Sequence, residues 1–137
     1  MKPTPLITAG IDVGTGMIKM VLFGHDGDAV TWRARRLEKI RRRDPYRLTA
    51  EAYDEMLAQE GLGRDDIAYC ATTGEGESIA FHTGHFYSMT THARGALFLD
   101  SEARAALDIG ALHGRAIRVD ERGKVLDYKM TSQCASG

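Results

Sequence analysis

The feature that most constrains this chain is a pattern it writes twice. In "LITAGIDVG" an apolar run exits into Asp12-Val13-Gly14, and after Thr15 and Gly16 a second strand-like run starts at Met17. In "ARAALDIGA" another apolar run exits into Asp108-Ile109-Gly110, and after Ala111 to Gly114 a new strand-like run starts at Arg115. Glycine lets a backbone approach a phosphate closely, and successive amides in such a turn form an anion cradle. The aspartate beside it can hold Mg²⁺ through water or position an attacking water. A single Asp-x-Gly is also an ordinary tight turn. Two copies, each at the exit of an apolar strand, suggest two hairpins that would grip one nucleotide tail from both sides.

Bulk properties narrow the setting. The chain has 137 residues, enough for a small domain with its own core, and 43% are hydrophobic against 27% charged. A formal net charge of -1 gives no global field that would draw nucleic acid or a membrane surface, and neither is expected as a partner. No apolar run approaches the roughly 20 residues of a membrane-spanning helix. "MKPTPLITAGID" lacks the apolar core of a signal peptide. Two cysteines, Cys70 and Cys134, make no disulfide framework, and a reducing cytoplasm is the simplest expectation.

The pattern of the chain suggests an α/β fold. Leu6–Gly14 and Met17–Gly24 are expected to pair as a hairpin, and His25–Ala29 to form a turn. Val30–Leu37, alternating apolar and basic residues, is expected as a third strand, so the sheet opens with a three-stranded antiparallel meander. A helix is expected over Leu48–Gly63, with Thr49 as N-cap, Glu51 near the positive end and Gly61 as the stop. Its stripe of Ala52, Met56 and Gln59, with Tyr53 and Leu57 beside it, is expected to be core. Asp66–Glu77 reads as a strand entering a Gly-rich turn. Thr91–Leu99 reads as a helix packed through Ala93, Ala96 and Leu97. Ala103–Ala111 is expected as a buried strand, and Arg115–Met130 as a hairpin turning at Asp120–Lys124.

Several further features carry two readings each. Seven arginines and one lysine lie between Arg33 and Arg47. They suit a docking surface for an acidic or phosphate-bearing partner, or a solvated edge, since basic residues blunt exposed strands. Cys70 is expected to fill core. His82 and His85 lie three apart near Cys70, but no second motif at zinc-site spacing accompanies them. Glu75 and Glu77 suit either a ligand cleft or a solvated turn. His113 is either a phosphate contact or an ordinary turn residue. Cys134 sits among small residues in "KMTSQCASG", a setting that does not bury a structural thiol.

These motifs carry a family resemblance. "GIDVGTGMIK" and "DIG" are similar to the two phosphate loops of the sugar-kinase/actin-like ATPase superfold. Together with "CATTGEGES", "THARGA", "DIGALHGRAI" and "YKMTSQCASG", they resemble one branch of it: the ATPase subunits of benzoyl-coenzyme A reductase and the related activators of 2-hydroxyacyl-coenzyme A dehydratases. The resemblance covers nearly the whole chain. It implies a ribonuclease H-like lobe of that superfold over residues 1–107, with residues 108–137 opening a second lobe. Members are longer than this sequence, and their adenine-binding segment would lie beyond Gly137.

The resemblance also implies roles. Asp12 and Asp108 would be catalytic, and Gly14, Thr15, Gly16, Lys19 and Gly110 would bind ATP with Mg²⁺. Cys134 would be one thiolate ligand of a [4Fe-4S] cluster shared with a second ATPase subunit in a pseudo-symmetric heterodimer. Reductase subunits would dock on the pair, and ferredoxin would donate electrons. ATP hydrolysis would then drive reduction of the aromatic ring of benzoyl-coenzyme A, in anaerobic aromatic degradation.

The second loop departs from the branch. Activators read Asp-Ile-Gly-Gly-Gln-Asp-Ser-Lys there, whereas this chain has Leu112-His113 for the Gln-Asp pair and Arg115 for the lysine. They also carry a glutamate where this chain has Ser88, while His92 matches the family histidine. Other expectations remain open: a dehydratase activator, an iron-free sugar or carboxylate kinase-like ATPase, and a non-catalytic lobe of the same fold.

Overall fold

The computed structural model describes residues 5–110 and 114–131. The chain divides into two compact units, Met1–His85 and Phe86–Gly137.

In the first unit, β1 (Leu6–Val13), β2 (Met17–Asp26) and β3 (Ala29–Lys39) form the expected antiparallel meander. β4 (Ile67–Gly74) then joins the other side of β1 in parallel, and β5 (Gly84–His85) follows it, giving the order β3-β2-β1-β4-β5. The sheet is therefore mixed. Fold class and meander agree with the sequence reading. The turn expected at His25–Ala29 is shorter, because pairing continues through Asp26↔Ala29 and leaves only Gly27 and Asp28 between the strands. His25 is held in the sheet by its ring Nε2, 2.7 Å from Thr8 Oγ1. Gly27, at φ +59°, supplies the left-handed corner that such a two-residue turn requires.

The helix α1 spans Pro45–Gln59, starting earlier than the spacing suggests. Asp44, not Thr49, is its N-cap: the carboxylate accepts from the N–H groups of Tyr46 (2.9 Å) and Arg47 (3.4 Å). Proline at the first position loses no useful donor. Thr49 lies inside the helix, buried, with its hydroxyl donating 2.6 Å to Pro45 O. Glu51 accordingly sits past the first turn and pairs with Arg47. Gly61 does end the segment, at φ +71°, with its N–H bonded to Ala58 O and that of Leu62 to Leu57 O.

Leu48, Ala52, Tyr53, Met56 and Leu57 pack with Ile11, Val13, Ile18, Met20, Leu22 and Cys70 in one core cluster. Each large apolar side chain buried there contributes about 1.5–3 kcal/mol relative to exposure. Gln59, expected on that face, is exposed. Cys70 fills core as expected. Tyr53 stacks on Phe81 with ring centroids 4.7 Å apart, and the Arg64 guanidinium lies over the Phe81 ring at 4.3 Å.

Of the arginine run, Arg33, Arg35 and Arg36 lie on the edge strand β3, Arg41–Arg43 in the connection after it, and Arg47 in α1. Arg33 pairs with Glu60, Arg36 with Glu38 and Glu55, and Arg47 with Glu51. These intramolecular pairs support a solvated, partly neutralised edge.

The second unit holds α2 (Ser88–Leu99) and an antiparallel sheet in the order β6 (Ala105–Ile109), β7 (Gly114–Val119), β8 (Val125–Thr131). α2 begins three residues before the expected Thr91, whose hydroxyl instead bonds Ser88 O within the first turn. Ala93, Ile117 and Val119 form the core, with Met89 and Val125 packed against it. β6 is a strand, but it is not the buried one expected. Its residues alternate between half-buried and exposed, and Leu107 and Ile109 are 77% and 74% exposed. Register explains this: Ala106 pairs with buried Ile117 and Asp108 with buried Arg115, so Leu107 falls on the opposite face. The β7–β8 hairpin turns where expected, with Asp120 Oδ1 accepting from the N–H groups of Arg122 (2.8 Å) and Lys124 (2.9 Å).

Candidate functional site

The first loop is built by the β1–β2 hairpin. Val13 pairs with Ile18, and the Gly14 N–H closes the turn on Met17 O at 2.9 Å. A Cβ on Gly14 would stand 2.9 Å from that same oxygen, so the turn admits only glycine at this tightness. Gly16 O accepts from Ile40 N–H at 3.0 Å, which anchors the far side of the loop. The turn's own bonds thus run inward, and Thr15 and Gly16 are exposed at its tip.

Asp12 stands one step inside the turn, opposite Lys19 on β2 and Thr73 on β4. Lys19 Nζ lies 3.3 Å from Asp12 Oδ2, with the lysine more exposed than the carboxylate. The Gly-rich turn after β4 closes on the same place. Gly74 has φ +66°, and a Cβ there would come within 2.4 Å of Val13 O and 2.8 Å of Asp12 Oδ1. The Glu75 N–H bonds Val13 O at 2.8 Å. The sequence leaves "TTGEGES" open between a ligand-cleft turn and a solvated one, and the structure brings its backbone against the first loop. The glutamates themselves, Glu75 and Glu77, are exposed. Behind them Gly76 packs on Thr72, whose hydroxyl lies 2.9 Å from His85 Nδ1. His82 Nδ1 donates to Ile79 O at 2.6 Å, so both histidines make local structural bonds.

The second loop belongs to the other unit. Asp108 faces Arg115 across the β6–β7 pair. Arg115 donates to Asp108 Oδ2 from Nε at 3.1 Å and from Nη2 at 2.6 Å, and Nη2 also reaches Ser88 Oγ at 2.9 Å. His92 Nδ1 lies 3.1 Å from Nη2 and 3.0 Å from Asp108 Oδ2. Nη2 has two hydrogens for three neighbours, and the charge-assisted bond to the carboxylate claims one and Ser88 the other. The arrangement is satisfied when His92 Nδ1 carries its own hydrogen and donates it to Asp108, a tautomer assigned from the network. Arg115 is only 8% exposed, so this is a buried cation compensated by one carboxylate, with the Ser88 hydroxyl and the His92 ring beside it. Gly110 follows β6 and is exposed. Ala111, Leu112 and His113, with Cys134, lie outside the described residues.

Sequence reasoning names Asp12, Gly14, Thr15, Gly16 and Lys19 at the first loop and misses Gly74 as one of its walls. It notes Arg115, Ser88 and His92 separately and misses that they form one cluster with Asp108. Part of the signal is present, since Asp108 and Arg115 flank one hairpin turn and so become cross-strand partners. Among the described residues no helix is long and apolar enough to cross a membrane, and no group of three or more His, Cys, Asp or Glu is poised for a metal.

Known proteins extend this picture. Residues 9–137 match the model of the BadF/BadG/BcrA/BcrD ATPase family. The chain is 69% identical over 131 residues to the D-type subunit of benzoyl-CoA reductase from Thauera aromatica, covering 96% of this chain and 46% of that protein. It is 30% identical over 133 residues to the activator of lactoyl-CoA dehydratase of Anaerotignum propionicum, covering 96% and 49%. Among solved structures, component A of (R)-2-hydroxyglutaryl-CoA dehydratase from Acidaminococcus fermentans aligns with TM-score 0.80 at 25% identity, covering 95% and 49%. The 2-hydroxyisocaproyl-CoA dehydratase activator of Clostridium difficile, solved with bound ADPNP, aligns with TM-score 0.79 at 25% identity, covering 95% and 47%. The chain spans about half the length of the curated relatives it matches. A five-stranded mixed sheet opening in an antiparallel meander, two Asp-x-Gly hairpins and this breadth of similarity agree: the chain belongs to the BadF/BadG/BcrA/BcrD ATPase family.

Proposed function

We propose that this chain is the nucleotide-binding part of an ATPase subunit that couples ATP hydrolysis to electron transfer for reduction of benzoyl-coenzyme A. The observation that carries the proposal is the first loop. Its glycine turn is closed on its own backbone, its tip is exposed, and the Asp12 carboxylate stands behind it, paired with Lys19. Such a turn suits phosphate oxygens, and the pair suits a magnesium-bound phosphate tail. The 69% identity to a benzoyl-CoA reductase subunit favours this reading over that of a dehydratase activator, for which identity is 30%.

In this proposal Gly14, Thr15 and Gly16 bind phosphate through backbone amides, and Lys19 adds a positive charge. Asp12 holds Mg²⁺ through water or positions the attacking water. At the second loop, Asp108 is a catalytic residue and Gly110 a nucleotide-binding one. Residues 1–107 form the first ATPase lobe, and 108–137 open the second.

Cys134 supplies one thiolate to a [4Fe-4S] cluster shared with a second ATPase subunit, an assignment supported by the small-residue motif around it. When bound, the cluster supplies one-electron transfer. The remaining partners are the substrate-reducing subunits and a ferredoxin donor, and the compartment is the cytoplasm.

The test uses the full-length gene product, co-purified without oxygen with its ATPase partner. Iron, acid-labile sulfide and the low-temperature EPR spectrum after reduction are measured for wild type and Cys134→Ala. The proposal expects about four irons per dimer, lost in the variant. Iron-free protein that hydrolyses ATP equally in both forms would overturn it and leave a kinase-like ATPase.

A further inference from the structure

We infer that Arg115 is the positioning residue of the second loop, holding Asp108 to the start of α2 and neutralising its charge before any nucleotide arrives. The inference deepens the proposed function and rests on it. Three observations meet at one guanidinium. Two of its nitrogens converge on Asp108 Oδ2, at 3.1 and 2.6 Å. One of them reaches Ser88 Oγ at 2.9 Å, on the first residue of α2. His92, one turn further along α2, approaches the same carboxylate oxygen at 3.0 Å.

The cluster therefore ties β6, β7 and α2 together through side chains, beyond the backbone ladder of β6 and β7. Its centre is buried, where a guanidinium keeps its charge and its planar fork holds direction. A lysine at this position would supply charge but only a single point of attachment. It could not hold Asp108 from two nitrogens while also reaching Ser88.

Two consequences follow for a bound nucleotide. The end of β6 is tied to α2, because the Asp108 side chain is clamped there two residues before Gly110. Asp108 also presents less negative charge to a phosphate tail, since Oδ2 already accepts from a cation. In this account Asp108 shapes the second loop's position and field, and the demand for a metal-facing carboxylate falls mainly on Asp12.

The experiment uses the full-length protein with its ATPase partner and compares wild type, Arg115→Lys, Arg115→Met and Ser88→Ala. It measures KM for ATP, kcat, the Mg²⁺ concentration giving half-maximal hydrolysis, and the melting temperature. Arg115→Met removes the cation from Asp108 Oδ2 and leaves the His92 contact, so KM for ATP is expected to rise roughly tenfold or more and the Mg²⁺ requirement to shift. Arg115→Lys should restore the Mg²⁺ requirement, because charge returns, but recover KM only in part. Ser88→Ala should raise KM while leaving the Mg²⁺ requirement unchanged. A lower melting temperature in all variants, with KM and Mg²⁺ dependence equal to wild type, would overturn the inference and leave Arg115 structural only. Wild type that neither binds nor hydrolyses ATP would instead remove the proposed function, and the inference with it.

Discussion

Gly74 stands so close to Asp12 that a Cβ built on it would approach Oδ1 to 2.8 Å, and it does so at φ +66°. Two requirements, left-handed backbone and absence of a side chain, thus coincide beside the carboxylate proposed to face the metal. This contact joins the end of β4 to the end of β1, two parallel strands whose register runs Asp12↔Thr73 and Val13↔Gly74.

Gly74→Ala should therefore cost more than a solvent-facing glycine. The backbone strain alone is about 1–3 kcal/mol, and the overlap with Val13 O at 2.4 Å adds to it. Gly27→Ala is the control, with a similar φ of +59° but open space around its Cβ. Denaturant unfolding of the full-length protein should show the larger loss for Gly74→Ala. ATP affinity should fall for that variant alone.

Asp44→Ala tests the helix start. The carboxylate caps the N–H groups of Tyr46 and Arg47, and removing such a cap costs about 1 kcal/mol. Thr49→Val should act differently, because Thr49 is buried inside α1 and bonds Pro45 O, so its cost is that of a lost buried hydrogen bond. Equal, negligible effects of both on unfolding free energy would contradict this assignment of the cap.

How far the sequence can be read follows from which interactions are local. The meander is legible because strand alternation and the Asp-Gly turn are short-range signals. The helix start is ambiguous because Thr49 and Asp44 both have capping chemistry. The Asp44-Pro45 pair, an N-cap followed by proline at the first helical position, is the better guide. Composition alone suggests a buried β6, yet its register with β7 turns Leu107 and Ile109 to the exposed face. The second loop is visible in its Asp-x-Gly, but the cluster around it depends on Ser88 and His92 arriving from α2. That is tertiary information, and no spacing in the sequence encodes it.

Asp120 gives the β7–β8 turn a pH dependence. Its carboxylate accepts from two backbone N–H groups, at Lys124 and Arg122, and these hold its pKa below the ordinary carboxylate value. A depressed pKa stabilises the fold above the ordinary range and ceases to do so as pH falls through the folded value. Protection factors at the Arg122 and Lys124 amides, taken after dividing out the intrinsic slowing of exchange with acid, should fall on acidification in wild type. In Asp120→Asn the same amides should lose that extra acid dependence.

Tyr53 and Cys70 set the alkaline limit. Burial raises both pKa values, with the Cys70–Tyr53 pair adding to the tyrosine's shift. Groups with raised pKa values stabilise the fold fully below their unfolded values and lose that contribution as pH climbs toward the folded ones. Melting temperature should therefore fall above the ordinary thiol and phenol ranges. Tyr53→Phe should reduce the dependence, read as a flatter melting profile between neutral and strongly alkaline pH.

The most direct test of the nucleotide site is a calorimetric titration of a non-hydrolysable ATP analogue, with Mg²⁺, into the full-length protein and its partner subunit. It compares wild type with Gly14→Val, because any side chain at Gly14 meets Met17 O at 2.9 Å and must open the turn. The expected result is binding by wild type and at least a roughly tenfold loss in the variant, the scale of about 1.4 kcal/mol. Equal affinities, or no binding by wild type, would contradict the assignment of the first loop as a phosphate cradle.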